Sequence, residues 1–203
     1  QTWNQTWSNY FYNATLSGIK VTAQPPTNWF TLEGQLDYYG GGWVVPGVTM
    51  ALNGDDTQSG LTDPGGNFVF QVPAGDYTLT PSKETDDPPA NGVTTLDIAL
   101  IRSHVLGITL LDSPHKILAA DVNNSSSVTT LDIGFIRQLI LGYTNRFPAG
   151  LWKFVRSDFV FADPQQPWVY DSTRSYTNLA ASLTGQDFVA IKLGDVNNSW
   201  LPS

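Results

Sequence analysis

Strand-like alternation gives way to helical spacing in the middle of this chain and returns near its end. Residues 1–29 are polar and aromatic, setting Trp3, Trp7, Tyr10, Phe11, Tyr12 and Trp29 among short alternating stretches such as Leu16 to Val21, and they read as an extended arm. From Phe30 to Lys83 apolar and polar positions alternate in four short runs: Phe30 to Tyr38, Val48 to Leu52, Asn67 to Val72 and Tyr77 to Thr80. Gly40-Gly41-Gly42, Asn53-Gly54-Asp55 and Pro64-Gly65-Gly66 separate them, which is turn chemistry and predicts a small antiparallel β unit over 30–83.

Over 84–147 the spacing turns helical. Two helices are expected, each stopped by a glycine suited to the left-handed cap position, Gly107 and Gly142. Between them Ser113-Pro114 reads as an N-cap and first-turn proline opening a short helix through Ile117. Residues 148–203 return to strand character at Trp152 to Val160, Trp168 to Tyr170 and Phe188 to Leu193. No low-complexity linker divides these segments, so they are expected to pack together. The predicted class is α+β, an antiparallel β-sandwich packed with a pair of loop-helix repeats.

Those repeats are a duplication. Val93-Thr94-Thr95-Leu96-Asp97-Ile98, Ile101-Arg102 and Leu106-Gly107 recur thirty-five positions later as Val128-Thr129-Thr130-Leu131-Asp132-Ile133, Ile136-Arg137 and Leu141-Gly142. Ahead of the second copy, Asp121, Asn123, Ser125, Ser127, Thr129 and Asp132 stand at positions 1, 3, 5, 7, 9 and 12 of a calcium-loop pattern. That spacing turns alternate oxygens toward one hard cation, so Ca2+ is the cofactor the sequence implies.

The first copy lacks half of such a loop. Counting back from Asp97 places Asp86 at position 1 but Pro88 and Ala90 at positions 3 and 5, neither with a side-chain oxygen. Near the C-terminus Asp195-Val196-Asn197-Asn198-Ser199 reproduces the opening half, with no closing half after it. Two arrangements follow. Asp195, Asn197 and Ser199 complete a split site with Asp97 and a backbone carbonyl near Gly92, from the same subunit or a neighbour; or Asp195-Val196-Asn197 is an ordinary turn and Asp86 or Asp87 closes the first loop.

The loop plus single helix, Asp121-Val122-Asn123 with Val128, Asp132 and Leu141-Gly142, resembles the dockerin repeat of bacterial secreted proteins. The resemblance implies carboxylate ligands at Asp121 and Asp132, amide and hydroxyl ligands at Asn123 and Ser125, and the carbonyl of Ser127. Position 5 holds Ser125 where Asp is usual and position 6 holds Ser126 in place of Gly, so weaker binding is implied. In this resemblance the split site is a permuted dockerin pair. Val44 to Leu52, Thr62 to Phe70 and Pro73 to Leu79 together resemble the Cna-B and carboxypeptidase-regulatory-like sandwiches, which implies the β-sandwich. Dockerins join enzymes to cohesin-bearing scaffolds, so a cohesin-like partner is implied; the recognition pair at positions 10 and 11 falls on Thr95-Leu96 and Thr130-Leu131.

Length and charge narrow the rest. At 203 residues the chain can bury one sizeable core or two small ones. The net charge of -8 disfavours nucleic acid and anionic membrane surfaces as partners, and no apolar run is long enough for a membrane span. Without cysteine, no disulfide contributes. No leader precedes Gln1 and no Met opens the chain, so the expectation is a processed, exported protein at a cell surface; an engineered end is the plain alternative. Asn4 and Asn13 open glycosylation sequons, and further sequons at Asn123, Asn124 and Asn197 coincide with the metal loops.

Catalysis finds little support. Nucleophile-elbow, phosphate-loop and zinc-helix patterns are absent, and His104 and His115 read as packed or surface residues, so no catalytic residue is assigned. The seven Trp residues fit a core or interface better than a glycan platform, although glycan binding stays open as a third class. The β unit offers about four or five strands where sandwiches need about seven. Phe188 to Leu193 and the arm around Ala14 to Ala23 can supply the others, the arm either on its own body or on the next molecule's sheet edge. The second option makes a heterologous contact that need not close, and hence a filament. The expectation is therefore a non-catalytic, calcium-stabilised extracellular structural or assembly protein that self-associates.

Overall fold

The computed structural model describes residues 28–202. Its regular elements, in chain order, are β1 (Trp29–Tyr38), β2 (Thr49–Gly54), β3 (Gln58–Leu61), β4 (Asn67–Pro73), β5 (Gly75–Ser82), α1 (Thr95–Val105), α2 (Pro114–Ala120), α3 (Thr130–Ile140), β6 (Trp152–Arg156), β7 (Arg174–Leu179) and β8 (Phe188–Lys192). The strands form two four-stranded sheets, ordered β4-β1-β8-β6 and β3-β2-β5-β7. The chain is thus α+β and mostly sheet, a β-sandwich arrangement with three helices added.

Alternation sets which face each strand buries. In β4, Phe68, Phe70 and Val72 point inward between exposed Asn67, Val69 and Gln71; in β5, Tyr77 and Leu79 do the same. These side chains meet Leu32 and Leu36 of β1 and Met50 and Leu52 of β2 in one continuous core. Strand β8 departs from alternation, with Phe188, Ala190, Ile191 and Lys192 all buried. It lies between β1 and β6, parallel to the first and antiparallel to the second, and α2 packs on it. A strand covered on both faces reads as a continuous apolar run, and this one does except at its lysine.

The two repeat helices start alike because their first turns carry the same chemistry. Thr94 and Asp97 make a capping box at α1, as Thr129 and Asp132 do at α3. Each helix ends in a glycine in the left-handed region, Gly107 at φ 69° and Gly142 at φ 72°, and the next amide reaches back to Ser103 and Gln138 respectively. Helices α1 and α3 pack on each other. Ser113 caps α2, which runs three residues past the expected Ile117 to Ala120.

Some expected elements differ. The run from Trp152 stays a strand only to Arg156, because the chain turns at Ser157, whose amide donates to Asp187 O, and Asp158 folds back onto Arg156. Trp168 to Tyr170 is not a strand; it precedes Asp171, whose carbonyl accepts the Arg156 amide. Strands β3 and β7 were not expected. With them, eight strands arise between Trp29 and Lys192, so neither sheet needs Ala14 to Ala23 to make its count. That segment lies outside the described residues, as do the sequon residues Asn4 and Asn13.

Candidate metal centre

Two loops carry the acidic side chains singled out by spacing. In the first, α2 delivers Asp121 at its C-cap and α3 returns Asp132 at its third residue. Both carboxylates are buried, 1% and 0% exposed. Asp121 Oδ1 accepts the Ser125 amide at 2.9 Å and Oδ2 the Ser126 amide at 3.0 Å. Asn123 Oδ1 accepts the Ser125 amide at 3.0 Å, the Ser125 hydroxyl donates to the Ser127 carbonyl at 3.2 Å, and Asp132 Oδ1 accepts the Val122 amide at 3.2 Å. Asn124 takes φ 58° to make the turn, a conformation Asn tolerates better than most residues.

The second set comes from two distant stretches, the segment after β8 and the approach to α1, and repeats five contacts of the first. Asp195 Oδ1 accepts the Ser199 amide at 3.2 Å and Oδ2 the Trp200 amide at 2.8 Å. Asn197 Oδ1 accepts the Ser199 amide at 3.0 Å, the Ser199 hydroxyl donates to the Gly92 carbonyl at 2.9 Å, and Asp97 Oδ1 accepts the Val196 amide at 2.9 Å. Asn198 has φ 61°, matching Asn124. Asp97 and Asp195 are both fully buried. Gly92, at φ 78°, stands where Ser127 stands in the first loop; a Cβ there would lie 2.7 Å from the backbone of Trp200 and 2.8 Å from Asp195 Oδ2. Only a glycine lets the two segments approach this closely.

Asp86, the alternative closing residue, is engaged elsewhere. Its Oδ2 lies 2.9 Å from Lys192 Nζ and accepts Trp200 Nε1 at 3.0 Å. The structure therefore joins Asp97 to Asp195, Asn197 and Ser199 within one chain, and Asp86 serves as the counter-ion of a buried lysine.

Burial pushes the Asp97 and Asp132 carboxyls above the usual carboxylate range; amide and hydroxyl donors pull them down, while the facing Asp195 or Asp121 pushes them further up. Each loop thus gathers two desolvated acids with neutral oxygens, an amide, a hydroxyl and a carbonyl, and their mutual repulsion is what a divalent cation would relieve. Each carboxylate oxygen has two lone pairs, so at Asp121 the amide donors leave acceptor capacity free, whereas each Asp195 oxygen already accepts two donors, Oδ1 the Asn197 and Ser199 amides and Oδ2 the Trp200 amide and the Tyr38 hydroxyl. Oxygens of one loop stand roughly 3 Å apart where they touch, the packing that a hard-cation shell with ligands at about 2.3–2.6 Å requires. Among the described residues no three or more His, Cys, Asp or Glu gather in one place. The reason is compositional: each loop holds two acids and takes its remaining oxygens from uncharged groups. The donor sets fit calcium better than magnesium, which demands stricter octahedral geometry and keeps more water.

Residues that spacing did not flag surround both loops. The Tyr38 hydroxyl donates to Asp195 Oδ2 at 2.6 Å and the Tyr39 hydroxyl to Asp195 O. Burial together with Asp195 raises both phenols far above their ordinary value. Behind Asp121 stands Lys153 instead, its Nζ donating to the carbonyls of Leu118 at 3.3 Å and Asp121 at 3.1 Å and lying 3.9 Å from Asp121 Oδ2. The sequence does carry a signal for Lys153 and Lys192: each interrupts an apolar strand run, and a buried ammonium needs a partner. The histidines have packing roles. His104 Nδ1 accepts the Leu111 amide, and His115 lies between Tyr39 and Phe161.

Comparison with known proteins adds little. No family model matches the chain, and no curated protein matches it. One solved structure, a DUF3823 family protein from Parabacteroides merdae, aligns at 22% identity and a TM-score of 0.24, covering 29% of this chain and about a third of that one. Among the described residues no helix is long and apolar enough to cross a membrane.

Proposed function

We propose that this chain is a non-catalytic, calcium-stabilised extracellular structural protein, in which one Ca2+ sits in the loop of Asp121, Asn123, Ser125, Ser127 and Asp132 and a second in the split loop of Asp195, Asn197, Ser199, Gly92 and Asp97. The observation that carries this reading is the correspondence of five contacts between the two loops, one continuous and one assembled from segments about a hundred residues apart. Chance turns do not reproduce five matched contacts, and a shared ligand geometry accounts for them. With the resemblance of the repeats to dockerins and of the sheet unit to Cna-B-like sandwiches, the reading is of a secreted surface protein.

Calcium outside cells is near millimolar, so a site with a Kd a hundredfold lower adds about 2.7 kcal/mol of stability by mass action. The split site does more than add stability, because it fastens the segment after β8 to the start of α1 and so ties the helices to the sheets. The test is a thermal melt of the full chain with calcium and with chelator. Chelation lowers the midpoint; identical melts reject the proposal.

Self-association belongs to the same reading. Among the described residues β3 and β4 are end strands of their respective sheets and contact each other, and end strands are where a further strand can add. The arm around Ala14 to Ala23 of a neighbouring copy is the proposed addition, which would propagate subunits into a filament. Electron microscopy of the native material tests it: filaments that vanish on removing residues 1–23 support the arm, and filaments that persist reject it. A second reading, an adaptor for a cohesin-like partner, draws on the outward-facing Leu96 and Leu131, 56% and 57% exposed at matching places on α1 and α3. Retention of the full chain on an immobilised cohesin would favour it.

A further inference from the structure

The two loops present matched donors but sit against different surroundings. Position by position the ligand types are the same: Asp121 and Asp195, Asn123 and Asn197, Ser125 and Ser199, the carbonyls of Ser127 and Gly92, Asp132 and Asp97. What stands behind the first aspartate differs. Lys153 contacts the backbone carbonyl of Asp121 at 3.1 Å and approaches its Oδ2 at 3.9 Å, whereas the same two places on Asp195 are taken by the uncharged hydroxyls of Tyr39 and Tyr38. Lys153 is 8% exposed, and the carboxylates acting on its ammonium are Asp121 and Asp132 themselves. A lysine also lies near the split loop, but Lys192 is paired with Asp86 at 2.9 Å, outside the donor set. Counted formally, the contiguous loop with its lysine holds two Asp and one Lys, and the split loop two Asp with no cation in contact.

We propose that the split loop of Asp97, Asp195, Asn197, Ser199 and Gly92 is the tighter cation site and fills first, and that Lys153 is a resident counter-charge that weakens the contiguous loop. The inference rests on the calcium reading above and adds an order to it. Ligand charge count tunes the affinity of such loops over orders of magnitude, and here the ligand residue types match while the charge behind them changes. The contiguous loop is thereby stabilised without metal and occupied at higher calcium. The split loop is the one that calcium most needs to hold.

The experiment is a Ca2+ titration by calorimetry of the full chain stripped with chelator, repeated with Tb3+ luminescence excited through the tyrosines and tryptophans. Two steps separated by at least about tenfold in Kd are expected. Asn197→Ala removes or weakens the tight step, and Asn123→Ala the weak one. Lys153→Met tightens the weak step about tenfold or more and leaves the tight one unchanged; Lys153→Gln, which keeps a donor for the carbonyls, does the same. The ordering is overturned if Asn123→Ala abolishes the tight step, if the steps coincide, or if neither Lys153 variant moves the weak step. No calcium uptake at any concentration would instead overturn the calcium reading itself. Melting curves of each variant separate a folding defect from a lost ligand.

Discussion

Removing Asp86 separates its two candidate roles. The Lys192 side chain is 0% exposed and that of Asp86 2%, with Nζ and Oδ2 2.9 Å apart. Without Asp86 the ammonium keeps the Pro89 carbonyl at 2.8 Å and the face of Trp152 at 5.3 Å. Breaking a buried ion pair from one side costs about 3–5 kcal/mol, and the Trp200 indole N–H, which donates to Asp86, adds about 1 kcal/mol as an orphaned donor. Asp86→Ala should therefore lose roughly 4–6 kcal/mol, which at about 2–4 °C per kcal/mol for a domain of this size is a fall of some 10–20 °C. Denaturant titration and calorimetry, each with calcium and with chelator, measure it. Adding Lys192→Met removes the stranded charge, and the double variant should recover most of the loss together with the full calcium-dependent rise in midpoint. If the double variant is rescued in chelator yet gains nothing from calcium, Asp86 is a ligand and the split site is wrong.

Gly92→Ala forces a Cβ against Trp200 and Asp195 at φ 78°, so it should cost several kcal/mol and erase the calcium increment of the split loop, read by melts with and without calcium. Gly134, inside α3, has open space around a would-be Cβ and is matched in α1 by Ala99, so Gly134→Ala should stabilise by about 0.5–1 kcal/mol in denaturant titrations. Trp200→Ala empties a site 1% exposed, packed on Tyr38 and edge-on to Trp152 at 5.1 Å; a loss of about 3–5 kcal/mol is expected in the same assay. Asp158 accepts from Arg156 and Arg174, which hold its carboxyl far below the usual range. A depressed folded pKa gives stability that is present above the unfolded value near 3.9 and lost as pH falls toward the folded one, so Asp158→Asn should cost under about 1 kcal/mol at pH 7, the carboxylate being half exposed, and progressively less below pH 4.

Periodicity revealed the elements whose side chains carry the energy and missed those held by backbone alone. Strands β1, β2, β4, β5 and β8 show apolar runs because one or both faces are buried. β3 reads Gln-Ser-Gly-Leu and β7 Arg-Ser-Tyr-Thr-Asn-Leu; each closes a sheet edge through ladder bonds to one neighbour and exposes most of its side chains. Nothing apolar marks such strands, and their absence from the pattern made residues 1–29 seem necessary to complete the sandwich. The Trp152 run failed in the opposite sense, since its apolar positions beyond Arg156 pack after a turn and not along a strand: Phe159 and Phe161 meet edge-on at 5.1 Å.

The loops show why spacing can single out a candidate ligand without locating its partners. A contiguous twelve-residue pattern is legible because covalent distance fixes spatial distance, as from Asp121 to Asp132. In the split loop that link is replaced by the fold: β8 carries Asp195 to the α1 N-terminus, the Gly194 amide bonds Ala119 O beside the contiguous loop, and Tyr38 and Tyr39 at the end of β1 hold Asp195 from behind. The orphaned half-pattern after Gly194 and the missing half before Asp97 were both visible, and their complementarity suggested the join. The charge behind each loop was not, because Lys153 and Tyr38 reach their aspartates across sheet and helix with no fixed separation in sequence. On the proposed reading, affinity order is a property of tertiary packing, while the ligand pattern is a property of spacing. A sequence that kept every donor but exchanged Lys153 with an uncharged residue would look unchanged as a metal binder and lose the difference between its sites.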